Sequence, residues 1–205
     1  MKQAVTRQRL GFVASNLLLA AMYLIFAYLH LTLFAATARP SLLLIVASES
    51  LLVVFVLIRR DPDATWHSWW TWLTMLGGTF GPLLFRPTAA AQDLLVGQAV
   101  QIAGLVLLIA AVTTLSRSFG LLPAHRGVKS DGLFRWVRHP LYMAYALVGL
   151  GYVINNFSVY NAVILTVATG FQVLRIRNEE AFLRRYPDYV AYAERTRWRI
   201  VPFVW

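Results

Sequence analysis

The chain has 205 residues and a mass of 23.1 kDa, enough for one domain, and is 59% hydrophobic but only 14% charged. Soluble domains run nearer 45–50% apolar and roughly 25% charged, so a disordered chain or a protein that coats nucleic acid is excluded. The net charge of +10 therefore has to be located before it is interpreted, and the absence of cysteine rules out disulfides, thiolate metal sites and a cysteine nucleophile.

Of the 19 Lys and Arg residues, 17 fall in four segments, 2–9, 59–60, 117–138 and 175–199. Between them run apolar stretches near the roughly 17–25 residues that a helix needs to cross a bilayer. In chain order they predict an all-α polytopic membrane protein with about six segments, near 12–36, 41–58, 67–85, 94–115, 141–155 and 158–174. Segments five and six, separated by Asn155, Asn156 and Phe157, read as a tight hairpin. The first segment exceeds the roughly 7–15 apolar residues of a signal peptide and is expected to be a retained helix. Residues 1–60 are taken as two N-terminal transmembrane helices and 66–205 as the core.

With a cytoplasmic N-terminus, 17 cations lie on the inside and only Arg39 and Arg86 outside. That asymmetry predicts two cytoplasmic termini, in an inner membrane of prokaryotic type. Trp66, Trp69, Trp70 and Trp72 open segment three, where indole rings settle at headgroup depth. Within the spans, His30 reads as a packing residue. Glu49 lies mid-span, where an ionised carboxylate costs roughly 3 kcal/mol, so it is neutral, paired or in a polar cleft as a packing, substrate or dimer contact. Gly77, Gly78 and Gly81 allow close helix approach, within one chain or between two, and the sequence fixes no oligomeric state.

The longest connection, residues 116–142 (SRSFGLLPAHRGVKSDGLFRWVRHPLY), belongs to the cytoplasmic side. A long ordered loop in a compact protein is functional more often than connective. Pro140 suits the first turn of helix five, and Arg138 and His139 precede it, beside free N–H groups that favour an anion. Arg135 and Arg138, three apart, also fit as lipid-phosphate anchors. His125 and His139 have no partners at ligand spacing, so no metal is expected. In the second cluster, residues 175–199, Arg175 and Glu179 share a helix face, as do Glu180 and Arg184. Pro187 ends that helix, and a further amphipathic stretch covers about 188–197. Trp198, Phe203 and Trp205 look like anchors of the tail.

The segment GLFRWVRHPLY, followed about forty residues later by Arg175, Glu179, Glu180 and a Tyr-rich stretch, resembles the isoprenylcysteine carboxyl methyltransferase family of membrane enzymes. Phospholipid N-methyltransferases and small-thiol S-methyltransferases are related. The likeness spans about 115–205 and is strongest at 132–142 and 175–192. It implies S-adenosylmethionine as cofactor, enclosed by Val128, Lys129, Phe134, His139, Pro140, Leu141, Tyr142 and Glu179 in a cytoplasmic pocket of the 116–142 loop and the C-terminal helices. Arg175 then looks like the residue that meets the methyl acceptor. Phe134 replaces the family's usual Tyr, and Arg126 and Gly127 replace its His-containing loop start.

Methyl transfer requires the nucleophile to be held near the methyl carbon with water excluded. A carboxylate acceptor is already nucleophilic, whereas an amine or thiol first loses a proton, for which Glu180 or Glu49 is the candidate base. Arg175 and Glu180 are thus the catalytic candidates, and Arg175 and Glu49 the acceptor-binding ones. The expected partners are membrane lipids and a lipophilic acceptor that arrives through the bilayer. The competing readings are a sterol-type NADPH reductase, which shares an HP-x-Y turn, and a non-enzymatic membrane scaffold.

Overall fold

A computed structural model describes residues 2–58, 64–65, 68–88, 93–118, 123–125 and 127–205. Trp66, Arg59, Arg60 and Arg126 lie outside the described residues. Among the described residues, seven helices carry the fold: α1 (Lys2–Thr37), α2 (Pro40–Ile58), α3 (Trp69–Phe80), α4 (Leu95–Leu115), α5 (Pro140–Asn155), α6 (Val159–Leu183) and α7 (Pro187–Arg195). The strand content is one antiparallel pair, β1 (Ala64–Thr65) against β2 (Ala124–His125), with Ala64 opposite His125.

Among the described residues, four helices are long and apolar enough to cross a membrane: Phe12–Thr37, Pro40–Ile58, Leu95–Leu115 and Val159–Leu183. Their outward faces carry Leu17, Leu18, Ile25, Val54, Val106, Val163 and Val167 exposed, as expected where the surrounding medium is lipid. The protein is an integral, multi-pass, all-α membrane protein. Of the six expected segments, those near 67–85 and 141–155 form helices too short to be counted with these four. With 16 residues, α5 rises only about 24 Å, and Pro82 turns the chain after α3 into a 3-10 turn over Gly81–Leu84. Helices α5 and α6 follow one another across a short turn and touch, but α5 packs chiefly on α4 and α6 on α3.

Small residues explain those choices of partner. A Cβ on Gly104 would stand 2.6 Å from the Val148 amide nitrogen, and one on Gly151 would stand 2.6 Å from both Gln101 N and Gly97 O. Backbone thus meets backbone between α4 and α5, a spacing that only glycine permits. On α3, Gly77 faces Phe171, Gly78 faces Arg175 and Gly81 faces Ala168, so this glycine face serves a contact within the chain.

The helix ends follow local chemistry. Ala38, at φ 52°, closes α1, and Pro40 opens α2. Ser68 and Ser158 cap α3 and α6 by accepting from Thr71 N and Asn161 N, each at 3.1 Å. At the end of the bundle away from the 116–142 loop, Asp93 accepts from Arg39 Nε (3.0 Å) and Nη2 (2.9 Å), from Ser41 Oγ (2.7 Å) and from the Ser41 N–H at the start of α2 (2.7 Å). Arg39 also donates to Thr88 O and Asn155 O, so this cation, one of the two assigned to the outside, is a buried tie between the helix ends. Gln101, Asn155, Asn156 and Asn161 extend the tie to residues 86, 88 and 94. His30 belongs to the same packed end, with Nε2 3.1 Å from the Tyr152 hydroxyl.

Burial works to raise the Asp93 carboxyl, but the bonds from Ser41 and Arg39 outweigh it and hold the pKa below its ordinary 3.8. A depressed carboxyl adds stability that is complete above its unfolded pKa and is lost as pH falls through the lower, folded value. Parent protein is therefore expected to lose melting temperature on acidification below about pH 4, the ordinary range for Asp. Asp93→Asn should melt lower at neutral pH, by roughly the 1.5–3 kcal/mol of a charged hydrogen bond, and show less of the acid-dependent loss. Thermal melts of both proteins in detergent across pH check this.

Candidate functional site

Beneath the loop end, the helices do not close on one another but enclose a cavity of about 690 Å³, partly open to the surroundings. The polar groups in its lining come from five helices: Tyr23 of α1, Ser48 and Glu49 of α2, Thr79 of α3, Tyr142 and Tyr145 of α5, and Gln172 and Arg175 of α6. Leu52, Leu108 and Phe85 supply apolar walls. Arg175 and Glu49, 126 positions apart in sequence, thus meet in one chamber.

Arg175 is held from several sides. Its Nη1 donates to Thr79 Oγ1 at 3.1 Å, its guanidinium lies 5.3 Å from the centroid of the Tyr142 ring, and Gly78 leaves room for its stem. Tyr142 in turn donates its hydroxyl to Glu179 Oε2 at 2.9 Å. The two residues that share a face of α6 are therefore linked through a ring of α5, with Glu179 half-buried and Arg175 buried. Glu49 is 6% exposed, and its Oε2 has no hydrogen-bond partner. Gln172 donates to Gly78 O at 2.9 Å, while its own Oε1 is also unpartnered.

A second, smaller cavity lies between α5 and α6. It shares Pro82, Phe85, Tyr142, Tyr145, Gly149 and Gln172 with the first, and adds Leu165, Ala168 and Ile200. The two spaces are therefore separated by little more than the rings of α5.

Of the cofactor candidates, Leu141 and Tyr142 line the main cavity, whereas Val128, Lys129, Phe134, His139, Pro140 and Glu179 line neither space, Glu179 reaching the main cavity only through its bond to Tyr142. Phe134 is buried in a 3-10 turn, Gly132–Arg135, and its carbonyl accepts from Tyr192 of α7 at 2.8 Å. Burial pushes the Tyr192 hydroxyl up to about 12, so it remains a donor at neutral pH. Gly127 and Gly132 adopt φ 80° and 56°, and the space beside Gly127 is open. Among the described residues, the N–H groups of Val128, Lys129 and Ser130 have no backbone acceptor. His125 does not approach His139. It stacks on Tyr186 at 4.1 Å and bonds Asp188 at 3.0 Å.

Glu180 stands elsewhere than a catalytic base would. Its Oε1 accepts from Arg138 Nε (2.8 Å) and Nη2 (2.7 Å) and lies 3.3 Å from His139 Nε2, while Oε2 accepts from Arg199 Nε (3.0 Å). Arg184, its expected helical partner, comes only to 4.0 Å. A carboxylate encircled by cations is a weak proton acceptor, and Glu180 lines neither cavity. Arg138 likewise is no lipid anchor: it is buried and also donates to Thr196 O and Arg197 O. The sequence suggested neither the clustering around Glu180 nor the share of Tyr23, Tyr145 and Gln172 in the cavity. Tyr23 and Tyr145 sit in apolar runs where aromatic rings are ordinary, and only the polarity of Gln172 within a span was available as a signal.

Residues 94–185 match the isoprenylcysteine carboxyl methyltransferase (ICMT) family. That stretch, under half of the chain, runs from the start of α4 through the long loop, α5 and α6, and includes Tyr142, Arg175 and Glu179. It supports the kinship read from residues 132–142 and the first half of 175–192, and methyl transfer over the dinucleotide reductase alternative. The cavity wall formed by Tyr23, Ser48, Glu49 and Thr79 lies outside it. No curated protein matches the chain.

Proposed function

We propose that this protein transfers a methyl group from S-adenosylmethionine to an acceptor taken from the membrane. The observation that carries the reading is the placement of Arg175 and Tyr142, both within the family-matched stretch, in the wall of one cavity, with Tyr142 also bonded to Glu179. The groups present fit such a cofactor. Glu179 offers a carboxylate to an ammonium or to ribose hydroxyls, and the unused N–H groups of residues 128–130 offer donors to a carboxylate. The tyrosine faces of α5 tolerate a sulfonium charge.

The cofactor supplies a methyl group on positively charged sulfur. On the protein side, Glu179 and the loop at Val128 and Lys129 bind it. Phe134, His139 and Pro140 fix the turn that carries Leu141 and Tyr142 to the boundary between cofactor and acceptor. Arg175 holds an anionic group of the acceptor, and the apolar walls of Leu52, Leu108 and Phe85 keep water out. The gap between α5 and α6 is the acceptor's way in from lipid. Helices α1 and α2 complete the acceptor side of a core formed by residues 66–205, which faces the cytoplasm as the cation asymmetry indicates.

Two measurements test this together. Purified protein should bind S-adenosylmethionine and transfer its labelled methyl group into a membrane-lipid extract, with the product identified by mass. Glu179→Ala should weaken cofactor binding at least about tenfold, or roughly 1.4 kcal/mol. Absence of cofactor binding by the folded parent protein overturns the reading.

A further inference from the structure

We infer that the methyl acceptor is an amine and that Glu49 receives both its hydrogen bond and its proton. The inference rests on the methyltransferase reading above and narrows its substrate class. It starts from the cavity's hydrogen-bond inventory. Two buried acceptor atoms in the lining, Glu49 Oε2 and Gln172 Oε1, have no donor. Leaving such atoms unmatched costs about 1–3 kcal/mol each, so a ligand that belongs here brings donors.

The possible nucleophiles differ in what they bring. A carboxylate brings no donor and would set its charge against Glu49. A thiol has one weak S–H donor, which cannot serve two strong oxygen acceptors. An ammonium group carries three N–H donors and, after one proton is lost, keeps two along with the lone pair that must attack. The aromatic wall agrees, since Tyr23, Tyr142, Tyr145 and Phe85 offer the ring faces that attract a cationic nitrogen. The other charged side chain in the lining, Arg175, is directed at Thr79 and Tyr142.

The atoms balance. The ammonium gives one proton to the Glu49 carboxylate. The freed nitrogen pair forms the N–C bond as the methyl carbon's bond to sulfonium sulfur breaks and its electrons return to sulfur. The product nitrogen carries the positive charge, and the neutral Glu49 acid passes its proton to water once the cavity opens. Glu180, closed in by Arg138, His139 and Arg199, has no part in this.

The experiment uses four detergent-dispersed probes with one chain length: dodecylamine, dodecyltrimethylammonium, dodecanethiol and dodecanoate. Equilibrium binding and labelled methyl transfer are measured for parent, Glu49→Gln and Gln172→Leu proteins, with S-adenosylmethionine binding as a separate readout. Dodecylamine should bind and be methylated. Dodecyltrimethylammonium, equal in charge but without N–H, should bind at least about tenfold more weakly. Glu49→Gln should bind S-adenosylmethionine as the parent does, lose at least about tenfold in amine affinity and lose nearly all amine methylation. Gln172→Leu should lower amine affinity by a smaller factor. Methylation of the thiol or carboxylate in preference to the amine overturns the inference while leaving the methyltransferase reading intact, as does amine affinity unchanged by Glu49→Gln. Failure to bind S-adenosylmethionine counts against the methyltransferase reading instead, and the amine-binding comparison still decides the role of Glu49. If Glu49→Gln does not fold, the comparison of amine with trimethylammonium, thiol and carboxylate in parent protein decides it alone.

Discussion

Replacement of Glu180 by alanine is expected to destabilise the folded protein by about 3–5 kcal/mol, the usual loss when one member of a buried ion pair is removed. The Arg138 side chain is 4% exposed, and without Glu180 its charge would face only the carbonyls of Thr196 and Arg197. The consequence reaches the C-terminal tail. Residues 137–139 pair with it through Arg138 N to Trp198 O (2.8 Å) and His139 N to Arg199 O (2.7 Å), in a parallel bridge between Val137 and Trp198. Arg199, bonded to Glu180 on one side, lies over the Trp205 ring on the other. Loss of Glu180 should therefore loosen the tail and the start of α5 together. Thermal melts and limited proteolysis after residue 195 measure both effects. Glu180→Gln keeps the shape and should cost less. If Glu180 were a catalytic base, Glu180→Gln would abolish methyl transfer with melting temperature unchanged. The ion-pair cluster predicts activity that falls only as stability falls.

Much of this architecture is legible in the chain because bilayer insertion imposes a coarse rule. Long apolar runs between cation clusters mark α2 and α4 to within a residue, and Pro140 and Pro187 mark the starts of α5 and α7, while α1 begins ten residues before its run and α6 continues nine beyond its own. The rule fails where helices are short. The run over 67–85 carries no charge, but Gly81 and Pro82 end α3 after 12 residues. Counting also fails for individual charges. Arg39 counts as one outside cation, yet it is neutralised by Asp93, 54 positions away. Arg138 and Arg135 look alike in sequence, and only the fold shows that Arg138 turns inward to Glu180.

Within the site, single residues were legible and their association was not. Glu49 stands out because an acid within a span requires explanation, and Arg175 because it leaves a span beside Glu179. Nothing local says that they share a cavity, because α2 and α6 are brought to it from opposite ends of the chain. Glu180 is separated from Glu179 for the converse reason. Adjacent acids on a helix differ in direction by about 100°, so Glu179 meets Tyr142 while Glu180 turns to the tail.

Arg175→Lys should leave S-adenosylmethionine affinity near parent and lower the single-turnover rate roughly ten- to hundredfold, the loss of about one charged hydrogen bond of 1.5–3 kcal/mol. Lysine keeps the positive charge but lacks the planar fork that meets a carboxylate or phosphate with two parallel bonds. Because Arg175 is buried against Thr79 and the Tyr142 ring, part of its effect can be structural, and a second variant separates the two roles. A Cβ at position 78 would stand 2.9 Å from Arg175 Cδ, so Gly78→Ala displaces the guanidinium without removing its charge or touching Glu179. Should Arg175 hold the acceptor, Gly78→Ala weakens acceptor use in the same sense as Arg175→Lys, with cofactor affinity retained in both. Should Arg175 only brace the end of α6, both variants lower melting temperature, and transfer by the folded fraction proceeds at the parent rate. Melting temperature, cofactor dissociation constant and single-turnover rate, measured on all three proteins, decide between these outcomes.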